Sequence, residues 1–167
     1  SVVEAMYAAL AEEIPAMVQP YLAPNAITLA EELVRLAPPG LTRCVFTTSG
    51  AETVEAAIKL VRMRTGRPMI LSCEGAYHGK TMGALAVSGR ELYAHLGGRK
   101  PLSFAQVPFG NIEALAEFLE RHAGEVAALF LEPIQGERGV FLPPPGYLSA
   151  VRELCYRHEV ALVLDEI

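Results

Sequence analysis

Four segments of this chain carry residue types capable of binding or catalysis, and each follows a short apolar run. Ser49-Gly50-Ala51-Glu52 follows Cys44-Val-Phe-Thr-Thr48, and Tyr77-His78-Gly79-Lys80 lies just after Met69-Ile-Leu71. Glu132 follows Val126-Ala-Ala-Leu-Phe-Leu131, and Asp165-Glu166 follows Val160-Ala-Leu-Val-Leu164. A small residue in the first turn of a helix lets backbone N–H groups approach an anion that the helix dipole also favours, so Gly50 and Ala51 form a candidate phosphate seat with Ser49. The same tetrapeptide also reads as an ordinary capping box, Ser49 with Glu52. Tyr77 offers a flat face for a heterocycle, and Gly79 permits close backbone approach. Taken alone, Tyr77, His78 and Lys80 are equally ordinary loop residues. Asp165 sits at the rim of an apolar strand, where an unpaired charge is costly, so it requires a cationic or proton-donating partner. Glu132 and Glu137 are further carboxylates of the same kind of loop.

These residues need elements to hold them together. Apolar runs of strand length separated by helical patterns read as strands buried on both faces of a mainly parallel sheet, and ligands in such sheets bind at the carboxyl ends of the strands. Strands are expected over Cys44–Thr48, Met69–Ser72, Val126–Leu131 and Val160–Leu164. Helices are expected from Val3 to Ile14, and from a capping box Thr28-Leu-Ala-Glu31 to the Pro38-Pro39-Gly40 breaker. The next runs from Ser49 to Gly66, with Val54, Ala57, Ile58 and Val61 on one face and Glu55 paired with Lys59. Short helical patterns run from Thr81 to Leu96, and Gly97-Gly98 marks a loop. Asn111 caps a helix that Gly124 ends, and Pro143-Pro-Pro-Gly146 opens the last one, bearing Leu148, Val151 and Cys155. No linker divides residues 1–167, so a single domain is expected.

The bulk composition narrows the function classes. With 167 residues, 51% hydrophobic and 20% charged, the chain can bury a core. A net charge of -5 argues against nucleic acid or an anionic membrane as partner. Cys44, Cys73 and Cys155 are odd in number and too scattered for a zinc spacing, which points to a reduced, cytoplasmic setting and no metal. No apolar stretch approaches the roughly 20 residues of a membrane helix.

A phosphate seat, a stacking ring and a buried acid together meet the binding demands of a phosphorylated pyridine. Ser49-Gly-Ala-Glu-Thr-Val-Glu-Ala-Ala-Ile-Lys59, Tyr77-His-Gly-Lys80, Glu132-Pro-Ile-Gln-Gly-Glu137, Pro145-Gly-Tyr-Leu148 and Leu164-Asp-Glu-Ile167 resemble, in order and spacing, the motifs of the class III aminotransferases. Within that family, Val107-Pro-Phe-Gly-Asn-Ile-Glu-Ala114 and Leu142-Pro-Pro-Pro-Gly-Tyr-Leu148 are most similar to putrescine aminotransferase, while Val151-Arg-Glu-Leu-Cys155 also resembles ornithine aminotransferase.

The resemblance implies an α/β fold: a three-layer, mainly parallel sheet forming part of the large domain of the aspartate-aminotransferase-like fold, with pyridoxal 5′-phosphate (PLP) as cofactor. It implies that Ser49, Gly50 and Ala51 hold the phosphate, that Tyr77 and the adjoining His78 border the ring, and that Asp165 pairs with the ring nitrogen as the catalytic acid. Lys80, Glu132 and Glu137 would face the substrate. The family's cofactor-anchoring lysine lies beyond the acid-bearing strand, and none of Lys59, Lys80 and Lys100 matches it. The chain is therefore expected to be part of a longer homodimeric enzyme that moves the terminal amine of a diamine such as putrescine to a 2-oxo acid, and to be inactive by itself. Ornithine or acetylornithine aminotransfer, a semialdehyde mutase, or a non-catalytic scaffold are the alternatives.

Overall fold

A computed structural model describes residues 1–12, 22–89 and 103–167. The chain divides into two units, Ser1–Phe46 and Thr47–Ile167. In the first, helix α1 (Val2–Ala11) is opened by a capping box between Ser1 and Glu4. Residues 13 and 14, expected to continue it, lie outside the described residues. Helix α2 spans Pro24–Leu36. The capping box expected at Thr28 is not there, because the helix starts a turn earlier. Pro24 occupies the first turn, where its missing N–H costs nothing, and the Thr28 hydroxyl donates back to the Pro24 carbonyl at 3.1 Å.

The second unit holds a four-stranded parallel sheet of order β2-β1-β3-β4. Its strands are β1 (Met69–Cys73), β2 (Phe104–Val107), β3 (Val126–Leu131) and β4 (Ala161–Leu164). Helices α3 (Gly50–Thr65) and α4 (Met82–Val87) cover one face, where Val54, Ile58, Val61, Ala84 and Val87 pack on Ile70, Ala128 and Phe130. Helices α5 (Ile112–Arg121) and α6 (Tyr147–Arg157) cover the other, with Leu115, Leu119, Val151 and Cys155 against Leu71, Leu129 and Leu131. Each strand sends alternate side chains to opposite faces, and every residue of β3 is buried, which explains its unbroken apolar run. The expected three-layer, parallel α/β arrangement is present.

Three expectations are corrected. Residues 44–48 form no strand. Val45 and Phe46 are exposed, and the donors of the two threonines are spent locally. Thr47 Oγ1 lies 2.6 Å from Thr53 Oγ1 and donates to the Ser49 carbonyl, while Thr48 N and Oγ1 both donate to Glu52 Oε2, at 2.9 and 2.6 Å. A backbone N–H committed to a helix cap cannot join a ladder. Second, the cap of α3 is half of what was expected: Ser49 Oγ accepts from Glu52 N at 3.3 Å, but the Glu52 carboxylate turns to Thr48 instead of the Ser49 backbone. Those Thr48 bonds hold the Glu52 carboxyl below the ordinary carboxylate range. Third, Glu55 does not turn to Lys59, because its Oε1 accepts from Gly83 N at the start of α4, at 2.7 Å.

Strand β2 was not anticipated. It is four residues long, and its polar Gln106 interrupts any apolar pattern; the Gln106 side chain donates to the Ser88 carbonyl at 2.9 Å. Asn111 caps α5 as expected, its Oδ1 accepting from Ala114 N at 2.9 Å, and Gly146 in the left-handed region precedes α6. The loop expected at Gly97-Gly98 and the helical pattern from residue 90 to Leu96 lie outside the described residues.

Candidate active site

The order β2-β1-β3-β4 makes the chain step from β1 to one side and return on the other, so the strand order, though not the strand direction, reverses between β1 and β3. A crevice at the carboxyl ends of such strands is where open α/β sheets bind ligands. The loop after β1 carries Tyr77 to Lys80, β3 ends at Glu132, and β4 ends at Asp165. Two close approaches bring the start of α3 to the same place. A Cβ on Gly79 would lie 2.7 Å from the Cβ of Ala51, and one on Gly50 would lie 2.8 Å from Cδ1 of Ile167. Gly79 also has φ of +121°, outside the range that side chains tolerate. Glycine at both positions therefore lets the Tyr77 loop and the segment after Asp165 close on the first turn of α3.

The acid finds its partner 87 residues away in sequence. Asp165 Oδ2 lies 2.9 Å from Nδ1 of His78, whose side chain is fully enclosed while that of Asp165 is 15% exposed. The His78 hydrogen bond holds the Asp165 carboxyl below its ordinary range, against the opposing effect of burial; the His78 charge and the Ile167 amide act in the same direction as the bond. An ionised carboxylate accepts, so Nδ1 carries the proton, and Nε2 is left with no polar partner among the described residues. The edge of the imidazole meets the Phe130 ring at 6.1 Å between centroids. The His78 backbone N–H donates to Ser88 Oγ at 3.0 Å, and that hydroxyl lies 2.8 Å from the Ala84 carbonyl it donates to. His78 is thus anchored on α4 through its backbone and on β4 through its ring.

Glu132 is buried, and each of its oxygens accepts a backbone N–H: Oε1 from Tyr77 at 2.6 Å, Oε2 from Gly136 at 3.0 Å. Beside it, the buried Gln135 donates from Nε2 to the Glu74 carbonyl at 2.9 Å. Lys80 is exposed and its Nζ stands 6.0 Å from the centroid of the Tyr77 ring. Glu137 is exposed in the loop beyond Gly136, and Ser49 is exposed ahead of α3. The structure therefore brings Gly50, Ala51, Tyr77, His78, Glu132 and Asp165 to one end of the sheet. Ser88 and Gln135 were not singled out by sequence reasoning: Gln135 lies within the Glu132–Glu137 motif, but its partner Glu74 is 61 positions away, and nothing around Ser88 marks its bond to the His78 amide.

The donor set suits a phosphorylated pyridine. Glu52 N and Thr53 N of the first turn of α3 donate to Ser49, whereas the N–H groups of Gly50 and Ala51 have no acceptor within the helix, which fits a phosphate. A carboxylate kept ionised by a fixed imidazole is the acceptor a protonated ring nitrogen needs.

Comparison with known proteins agrees. The family model described as "Aminotransferase class-III" matches residues 1–167. "Aminotransferase PigE" of Serratia sp. (strain ATCC 39006) is 44% identical over 169 residues, covering 99% of this chain and 19% of that protein. A thermostable (S)-enantioselective omega-transaminase from Thermomicrobium roseum superposes with a TM-score of 0.89 at 32% identity, covering 99% of this chain and 42% of that one. An amine transaminase from an uncultivated Pseudomonas species, in its PLP-bound form, does so with a TM-score of 0.84 at 27% identity, covering 99% and 44%. The chain thus spans less than half the length of each.

Proposed function

We propose, for a chain that belongs to the class III aminotransferase family, that the protein containing it moves the terminal amino group of an amine to a 2-oxo acid. The cofactor of this family is PLP, which when bound supplies an electron sink next to the substrate carbon and carries the amino group from donor to acceptor. In this reading the amides of Gly50 and Ala51, with the Ser49 hydroxyl, bind the phosphate. Tyr77 covers one face of the ring and keeps water from it. Asp165 holds the proton on the ring nitrogen, and His78 keeps Asp165 ionised and aimed. The single observation that carries this is the 2.9 Å pairing of Asp165 with an enclosed histidine beside the first turn of α3. A carboxylate left ionised at a rim, with Oδ2 held by His78 and Oδ1 carrying only a long 3.4 Å bond from the Ile167 amide, has acceptor capacity to spare for a cationic partner.

The donor is an ω-amine, with a diamine such as putrescine preferred. Lys80 supports this, because an ammonium on a flexible stem is a poor clamp for an amino-acid carboxylate compared with the planar fork of arginine. The omega-transaminase relative points to the same class of amine. Glu137, exposed in the loop beyond β3, is assigned to the substrate side in this reading. The chain forms part of the cofactor-binding large domain of a cytoplasmic homodimer. The free state of all three cysteines fits a reducing compartment, and among the described residues no helix is long and apolar enough to cross a membrane.

Donor preference is tested with the full-length protein and 2-oxoglutarate as acceptor. Putrescine or cadaverine is expected to exceed ornithine and acetylornithine in kcat/KM. A clear preference for either amino acid would overturn the diamine assignment and leave the family membership standing.

A further inference from the structure

Among the described residues the buried carboxylate of Glu132 forms no ion pair; its two oxygens are engaged by backbone amides that belong to two different loops. Burying a carboxylate is costly, and two charge-assisted bonds, one of them at 2.6 Å, are what offset that cost. One bond fixes the N–H of Tyr77, the atom adjoining the Cα from which the aromatic side chain departs. The other fixes the N–H of Gly136 at the entrance to the loop that Gln135 and Phe141 close, their backbones exchanging hydrogen bonds at 3.1 and 2.9 Å. Gln135 Nε2 grips the Glu74 carbonyl of the first loop as well, so the two loops are tied at two points. A carboxylate suits the task because both of its oxygens only accept, whereas a glutamine would set an N–H against one of the two amides.

We propose that Glu132 is a positioning residue that holds the Tyr77 ring over the cofactor by clamping the Tyr77 amide to the loop beyond β3. The proposal rests on the reading of Tyr77 as the residue that covers the ring. The test is a double-mutant cycle on the PLP dissociation constant of the full-length protein, using Glu132→Gln and Tyr77→Leu. In the Tyr77 background Glu132→Gln should weaken PLP binding about tenfold, the scale of one lost bond to a charged acceptor. In the Tyr77→Leu background the same change should weaken it less than about threefold, because a residue acting through the ring has no ring left to act on. An equal factor in both backgrounds overturns the proposal. So does an unchanged dissociation constant in Glu132→Gln when Tyr77→Leu binds weakly, and that result leaves the reading of Tyr77 intact. If Tyr77→Leu binds PLP as the wild type does, that reading falls and the proposal with it. Should Glu132→Gln fail to fold, hydrogen exchange of the wild-type protein decides: PLP should slow the Tyr77 and Gly136 amides together, and a Gly136 amide indifferent to PLP overturns the proposal.

Discussion

Asp165 and His78 define the site at the scale of single residues. The sequence demanded a partner for an acid at the rim of an apolar strand but did not name it, because the partner lies 87 positions away and its loop reads as ordinary. The pairing has a consequence for acid stability. An aspartate in an unfolded chain titrates at about 3.9, and the His78 hydrogen bond holds the folded value lower. A depressed folded value means that stability from the pair is fully present above the unfolded value and is lost as pH falls through the folded one. Asp165→Asn removes that dependence. Urea midpoints of the full-length protein at pH 6 and pH 3 should therefore fall further for the wild type than for Asp165→Asn. Equal falls would show that Asp165 carries no such pairing.

At the scale of elements, close approach decides which glycines matter. Gly66 ends α3 in the left-handed region with nothing within 4 Å of an added Cβ, whereas Gly79 combines φ of +121° with contact on Ala51. Gly66→Ala should cost about 1 kcal/mol by unfolding and leave PLP affinity alone. Gly79→Ala should cost about 1–3 kcal/mol and, if the first turn of α3 binds the phosphate, weaken PLP binding, since the Tyr77 loop must retreat from that turn. PLP affinity unchanged in Gly79→Ala would dissociate the two segments. Elements with strong local signals were legible from sequence: α3 and α5 by their apolar faces and side-chain caps, β3 by its unbroken apolar run, and α6 by the turn at Gly146 with Val151 and Cys155 buried, although Leu148, expected beside them, is exposed. The rest depended on competition that the sequence does not display. Thr47 and Thr48 look like strand residues until Glu52 and Thr53 take their donors, and Thr28 looks like a cap until Pro24 starts the helix earlier. The Glu132 bond to Tyr77 spans 55 positions and has no local signature.

Over the whole molecule, the reversal of strand order between β1 and β3 gathers residues from four separate segments at one end of a parallel sheet, which is why one family fingerprint runs the length of the chain. This chain spans 19% of the PigE protein and 42% of the Thermomicrobium transaminase, so its chemistry has to be measured in the full-length protein. Catalysis there should depend on the charge of Asp165 and not merely on its shape, since an amide is nearly isosteric with the acid but cannot hold a proton on the ring nitrogen. The direct measurement is the rate of amino-group transfer from an ω-amine to 2-oxoglutarate by PLP-loaded Asp165→Asn. A fall of about a hundredfold or more is predicted, the scale of losing a charge aimed at the reacting system, with PLP still bound and the fold intact. A rate equal to that of the wild type would contradict the account.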